Sequence, residues 1–66
     1  MHINKERLLL IMAKKSMPAR ELIEKSGLSE NTIQRMMHGA ARCNPSTAGK
    51  IAAALGCDVE DLVEID

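Results

Sequence analysis

Apolar residues along this chain recur at helical spacing, and turn residues divide them into five short segments. In the first segment, Ile11 and Met12 lie three and four residues after Leu8, which gives one apolar stripe on a helix. Asn4 is a suitable cap for this predicted helix, which ends near Lys15. No segment alternates apolar and polar residues as a strand does. The pattern predicts an all-α domain, a compact bundle of five helices joined by short connections.

Proline, glycine and small polar residues mark the other helix boundaries. Proline suits the first turn of a helix, where its missing N–H has no partner to lose. Glycine ends a helix because it adopts the left-handed conformation without steric cost. Ser, Asn and Asp accept the unpaired N–H groups of a first turn. In chain order these boundary residues are Pro18, Gly27, Ser29, Gly39, Asn44, Pro45, Gly56 and Asp58. The last predicted helix carries Val59, Leu62 and Val63 on its apolar side.

The length of 66 residues and the absence of aromatic residues narrow the class of protein. This length holds one domain, which we assign to residues 1–66. The longest run of large apolar residues has five members, from Leu8 to Met12, whereas a membrane span needs about 20 apolar residues. The polar N-terminus carries no secretory signal. We therefore expect a cytoplasmic protein in which Cys43 and Cys57 are reduced thiols.

The formal net charge of zero conceals an uneven distribution. Residues 1–57 contain nine Lys and Arg against four Glu, a balance of +5, and the last nine residues contain five acidic groups and no base. A basic body favours a polyanionic partner, with the acidic end facing away from it. Ordinary surface charge with a solvated acidic end is the alternative interpretation.

Two short predicted helices on either side of Gly27 have the organisation of a helix-turn-helix, with residues 17–39 as its core. When the residues of the second of these helices are placed 100° apart, Ile33, Met36 and Met37 fall within about 100° of one another. They form the stripe that we expect to be buried. The remaining sectors of the helix then face solvent or a partner.

The opposite face of this same helix, which is the third predicted helix of the chain, carries amide, guanidinium and imidazole groups. It lacks the mixture of Lys and Glu that is typical of a surface exposed only to solvent. Asn31 can form paired hydrogen bonds with adenine, Arg35 with guanine, and Glu30 can accept one from cytosine. Gln34 lies beside Glu30. We expect these four residues to read bases in the major groove. The structural alternatives are a dipole-complementing Glu30, ordinary surface amides, and a local pair between Arg35 and Glu30 or Asn31.

A second group of side chains is predicted to contact the DNA backbone. Thr32 can contact a phosphate or a thymine methyl group, and His38 either helps to end its helix or contacts a phosphate.

Residues 19–39, with the sequence ARELIEKSGLSENTIQRMMHG, resemble the helix-turn-helix of the Cro and phage-repressor family, also called lambda-repressor-like or XRE-type. Residues 46–56 and 58–63 resemble the fourth and fifth helices of that family, so the resemblance covers nearly the whole chain. It implies a five-helix DNA-binding transcription regulator that acts as a homodimer. It also implies base reading by Glu30, Asn31 and Arg35, and backbone contacts near the start of the second helix and in the loop after Gly39. With these contacts, the predicted backbone set is Arg20, Ser29, Thr32, His38 and Arg42.

At two places the sequence lacks residues that many family members use to contact the DNA backbone. Pro18 and Ala19 stand where many members have a Ser/Thr cap followed by Gln, and Arg20 or Ser16 is the available substitute. Residues 40 and 41 are both Ala, where basic residues are common in the family. Arg42 is the one cation in that loop.

We therefore predict a small repressor-like regulator that binds a palindromic double-stranded DNA operator as a homodimer, with no cofactor, metal or small-molecule substrate. The acidic last helix and the surplus Leu9 and Leu10 are its expected dimer surfaces. The alternative is an antitoxin- or adaptor-like protein-interaction module that keeps the fold without specific DNA binding. Its support is the zero net charge, Glu30 and the missing loop cations. An enzyme is not expected, since His2 and His38 lie 36 residues apart with no carboxylate to orient either.

Overall fold

A computed structural model describes residues 1–39 and 42–65 of the chain, and it consists mostly of short helices. The four α-helices are α1 (Lys5–Lys14), α2 (Ala19–Ser26), α3 (Glu30–Met37) and α4 (Pro45–Leu55). A 3₁₀ turn at Val59–Asp61 follows. Two short strands, β1 (His2–Ile3) and β2 (Val63–Glu64), pair antiparallel. Each helix is shorter than an isolated helix needs to be stable in water, so the elements depend on packing against one another.

The four α-helices begin and end within two residues of the predicted boundaries, although α2 begins after Pro18 and α3 ends at Met37. The side chains of Asn4 and Asn44 each accept the backbone N–H of the residue three positions later, at 3.0 Å and 2.8 Å. Gly27 and Gly56 end α2 and α4 with φ of 73° and 72°, in the left-handed region. The caps satisfy N–H groups that the first turns would otherwise leave unpaired.

One aliphatic core joins the helices, because α2 contacts both α3 and α4, and α1 contacts α3. Every helix contributes apolar side chains, as expected for amphipathic segments without aromatic residues. The largest fully buried side chains are Ile3, Leu8, Leu22, Ile33, Met36, Ile51, Leu55 and Leu62. Two of these, Ile3 and Leu62, lie in the terminal segments, so the ends of the chain are part of the core.

The domain is mostly helical as predicted, but the predicted fifth helix after Asp58 is not an α-helix, and a short pair of strands joins the two terminal segments. Asp58 forms no side-chain capping bond, and only the 3₁₀ turn Val59–Asp61 is helical there. The chain then extends, so that Val63 pairs with Ile3. A segment of this length gains few helical hydrogen bonds after the cost of nucleation. Pairing with β1 satisfies its backbone instead.

Strand β1 connects the two ends of the chain to the segment after α3. The N–H of Asn4, which follows β1, donates to the Leu62 carbonyl at 2.9 Å. On the other side His2 forms an antiparallel bridge with Arg42, and the Cys43 N–H donates to the Met1 carbonyl at 3.2 Å. The start of α1 is therefore held against both segments by backbone hydrogen bonds.

The described residues contain no helix with the length and apolar character of a membrane span. They also contain no group of three metal-ligating side chains. Cys43 and Cys57 are free and half-buried, and desolvation raises the pKa of both thiols. Since the thiolate is the reactive form, this environment favours inert thiols at neutral pH.

The packing of the C-terminal segment can be tested by truncating one buried and one exposed side chain. We expect Leu62→Ala to lower the free energy of unfolding by about 2–5 kcal/mol, because it leaves a cavity in the core. Ile65→Ala, at a side chain 74% exposed, should change it by less than about 0.5 kcal/mol. Urea denaturation followed by circular dichroism measures both. Equal effects of the two substitutions would contradict the packing of this segment in the core.

Candidate DNA interface

The turn between α2 and α3 is held by Ser26, the one buried polar side chain among the residues described. Its hydroxyl donates to the Ile23 carbonyl at 3.3 Å, and its oxygen accepts the Leu28 N–H at 3.2 Å. Gly27 lies between these contacts in the left-handed conformation. From the sequence we expect Ser26 at a turn or cap, where serine is common for structural reasons, but neither of these two hydrogen bonds is predicted. A serine directly before a helix-ending glycine was the available signal, since serine readily bonds to nearby backbone groups.

Helix α3 is anchored by its apolar stripe and by its N-terminal cap. Ile33 and Met36 are buried, and Met37 is partly buried against the same core. Ser29 caps the helix, since its Oγ accepts the Thr32 N–H at 3.1 Å. The hydroxyl groups of Ser29 and Thr32 also share a hydrogen bond of 2.9 Å. These contacts set both the rotation of α3 about its axis and its starting point.

The predicted base-reading residues lie on the solvent side of α3. Glu30, Asn31 and Arg35 are exposed, and Gln34 is half-buried beside them. The local pair between Arg35 and Glu30 or Asn31, the structural alternative, does not form within residues 1–39 and 42–65. The polar ends of these side chains are therefore available to a partner.

The predicted backbone contacts lie on α2, on α3 and in the segment after α3. Arg20 is exposed in the first turn of α2, and Arg42 is exposed where it bridges His2. Ser29 is exposed and Thr32 is half-buried, but their hydroxyl groups already bond to each other and to the cap. Ala40 and Ala41, where loop cations are missing, lie outside the described residues.

His38, at the C-cap of α3, is exposed and has a defined tautomer. Its Nδ1 donates to the Gln34 carbonyl at 2.6 Å, because a carbonyl oxygen can only accept. The other ring nitrogen, Nε2, is then a donor only when the ring is protonated. A phosphate contact through Nε2 therefore requires the imidazolium form.

Two acidic residues of the C-terminal segment, Asp58 and Asp61, lie away from this face. Asp58 and Asp61 line a groove of about 580 Å³ with Arg7, Lys14 and Lys15 of the α1 side, and no lining residue of the groove belongs to α2 or α3. Opposite charges therefore meet beside α1 rather than beside the outward side of α3. The local charge beside α3 is therefore not given by the formal net charge of zero for the whole chain.

A family model of the Cro/C1-type helix-turn-helix DNA-binding domain matches residues 7–66. The chain belongs to this family. The family model describes a DNA-binding domain, which supports DNA binding by this small domain. The match extends beyond the core of residues 17–39 to α4 and the C-terminal segment.

Two solved structures share the fold of this domain. They are described as PhpD with cadmium complexed with hydroethylphosphonate and as native PhpD with cadmium atoms. Each has a TM-score of 0.82 and 22% identity, and each alignment covers 98% of this chain. The chain spans 14% of the length of those proteins, and at this identity the likeness establishes the fold alone. No curated protein sequence matches the chain.

Removal of the α3 cap should destabilise the domain. We expect Ser29→Ala to lower the free energy of unfolding by about 0.5–2 kcal/mol, because the Thr32 N–H loses its partner. Ser46→Ala is the matched control, since Ser46 is exposed in the first turn of α4 and forms no side-chain hydrogen bond to the described residues. Thermal unfolding of the two variants measures the difference. Equal stability of both would show that the Ser29 cap contributes nothing.

Proposed function

We propose that this domain is a sequence-specific transcription regulator, repressor-like in action, that reads the major groove with α3. The observation that supports this most is the outward face of α3, where Asn31 and Arg35 are exposed and unpaired within the described residues. Amide and guanidinium groups match the hydrogen-bonding edges of purines. Occupation of an operator by such a domain blocks access of other proteins to the same DNA.

The dimensions of α3 suit this mode of binding. A helix about 10–12 Å in diameter fits a groove about 12 Å wide, and eight residues span about 12 Å along the axis. With the N-terminal half entering first, Glu30, Asn31, Gln34 and Arg35 lie nearest the bases. In this arrangement Asn31 pairs with adenine, Arg35 pairs with guanine, and Glu30 accepts from cytosine.

Contacts to the DNA backbone position the helix. Arg20 is exposed in the first turn of α2, and His38 and Arg42 follow the last residue of α3 in the chain. Ser29 and Thr32 contribute hydroxyl groups at the start of α3. We expect roughly three to five phosphate contacts per chain, so binding should weaken as salt increases.

Base reading is tested by selecting bound duplexes from a random pool, first with the native chain and then with Asn31→Ala and Arg35→Ala. Each substitution should remove the preference at one base position, a loss of about 1–3 kcal/mol of discrimination. Lys14→Ala is the control, because Lys14 lines the groove beside α1. It should leave the selected sequence unchanged.

Two outcomes would contradict this function in different ways. A small, uniform loss of affinity across all duplexes for Asn31→Ala and Arg35→Ala would mean that these side chains contact only phosphate. Selection of no motif by the native chain, with weak and salt-insensitive retention, would favour the protein-interaction module instead.

A homodimer on a palindromic operator is part of the proposal, because one chain offers a single short reading helix and few cations. Two such helices bind half-sites about 34 Å apart on one side of the DNA. Leu9 and Leu10 on α1, exposed by 39% and 55%, are the apolar side chains proposed for the contact between chains. Their exposure supports this choice, since neither serves the core of its own chain.

The dimer is tested by measuring the stoichiometry and affinity of the native chain and Leu10→Glu on a palindromic duplex and on a single half-site. We expect two native chains to bind each palindrome. Leu10→Glu should lower the affinity for the palindrome more than the affinity for the half-site, because a charge buried between the chains opposes their association. Ala53→Glu, at an exposed position of α4, adds the same charge and should lower neither affinity. One chain per palindrome, with equal affinity for both duplexes, would contradict the dimer.

A further inference from the structure

The side chain of Lys5, from the first turn of α1, lies across the C-terminal end of α3. Gly39, directly after the cap of α3, has a φ of 94°. A methyl group placed on its Cα would lie 3.1 Å from Lys5 Cδ, 3.7 Å from Cε and 3.8 Å from Nζ. The absence of a side chain at Gly39 therefore leaves room for the aliphatic part of Lys5. Its ammonium group is brought to the end of the DNA-facing helix.

The backbone around Lys5 is held in place on both sides. Asn4 caps α1 with its side chain and donates its N–H to the Leu62 carbonyl. His2 bridges Arg42, which follows α3 in the chain. Lys5 therefore projects from an anchored position, so less conformational entropy is lost when its amine binds a partner than if it were on a free terminus.

Lys5 faces the same side of the molecule as the end of the proposed reading face. Lys5 and His38 line one shallow depression of about 310 Å³, and His38 is exposed at the C-cap of α3. Lys5 is itself exposed, and its amine forms no salt bridge within the part of the chain that the structure describes. A cation is thus available where α3 would leave the major groove.

Two carboxylates also line this depression, and they limit what it can bind. Glu64 is engaged, since its Oε1 lies 3.0 Å from His2 Nε2 and its Oε2 accepts from Asn4 Nδ2 at 3.4 Å. Glu6 lies in the first turn of α1, where it complements the helix dipole. These acids disfavour capture of a small free anion in the depression. The flexible end of Lys5 can still reach a phosphate outside it.

We propose that Lys5 binds a phosphate of the DNA backbone beside the C-terminal end of α3. The inference rests on the proposed function, because it places α3 in the major groove. It assigns a phosphate contact to α1, outside the helix-turn-helix core, at the end of α3 where residues 40 and 41 supply no cation. The structural alternative is that the amine only complements the negative end of the α3 dipole.

The test measures the salt dependence of DNA binding between about 50 and 200 mM KCl for the full chain, using the selected duplex and a random duplex. Lys5→Met keeps the aliphatic stem over Gly39 and removes the charge. We expect it to reduce the slope of log Kobs against log salt by about 0.9 per chain, the value for one phosphate. Affinity should fall by the same factor on both duplexes, with the melting temperature unchanged.

Two further variants complete the comparison. Lys14→Met removes the same charge from the other end of α1 and should keep the native slope, whereas Lys5→Arg should restore the contact. A native slope for Lys5→Met would overturn the inference, and a lowered melting temperature in the same variant would assign Lys5 to the α3 dipole. If the native chain selects a motif while Lys5→Met keeps the native slope, only the Lys5 contact is overturned. A native chain that binds no duplex would overturn the proposed function as well.

Discussion

The burial of one stripe of α3 is the contact on which the rest of the structure depends. Ile33 and Met36 insert into the aliphatic core, and burial of each side chain contributes about 1.5–3 kcal/mol. Helix α3 cannot rotate about its axis without returning these groups to water. Since the helical period then directs Asn31 and Arg35 to the opposite side, the contact that stabilises the fold also orients the candidate reading face. Under the proposed function, substitutions in the stripe affect stability and DNA binding together.

A second constraint comes from the terminal strands. Strand β1 bonds to the C-terminal segment on one side and to the segment after α3 on the other. Because Lys5 follows directly, the position of its amine beside Gly39 depends on this pairing. Ile3 and Leu62 add buried area at the same place. Residues outside the helix-turn-helix core thus contribute to the shape and charge of the surface at the end of α3.

The zero net charge is compatible with a DNA partner because the charges are separated in space. Asp58 and Asp61 lie across a groove from the basic side chains of α1, away from α2 and α3. Exposed charges interact weakly beyond a screening length of about 8 Å in physiological salt. Under the proposed function, DNA that approaches α3 meets nearby charges such as Arg35, and Glu64 at the end of the helix, more than it meets Asp58 and Asp61.

The sequence by itself determined the four α-helices, their caps and the outward face of α3, because these depend on local chemistry and on the helical period. Gly27 and Gly56, for example, end their helices through their own backbone freedom. Only the tertiary structure decided the strand pair and the loss of a fifth helix. Each strand has two residues, too few for a periodic signal, and its partner lies about 60 residues away along the chain. The contact of Lys5 with Gly39 is long-range in the same way. Such contacts form because the core brings distant segments together, and no local pattern records them.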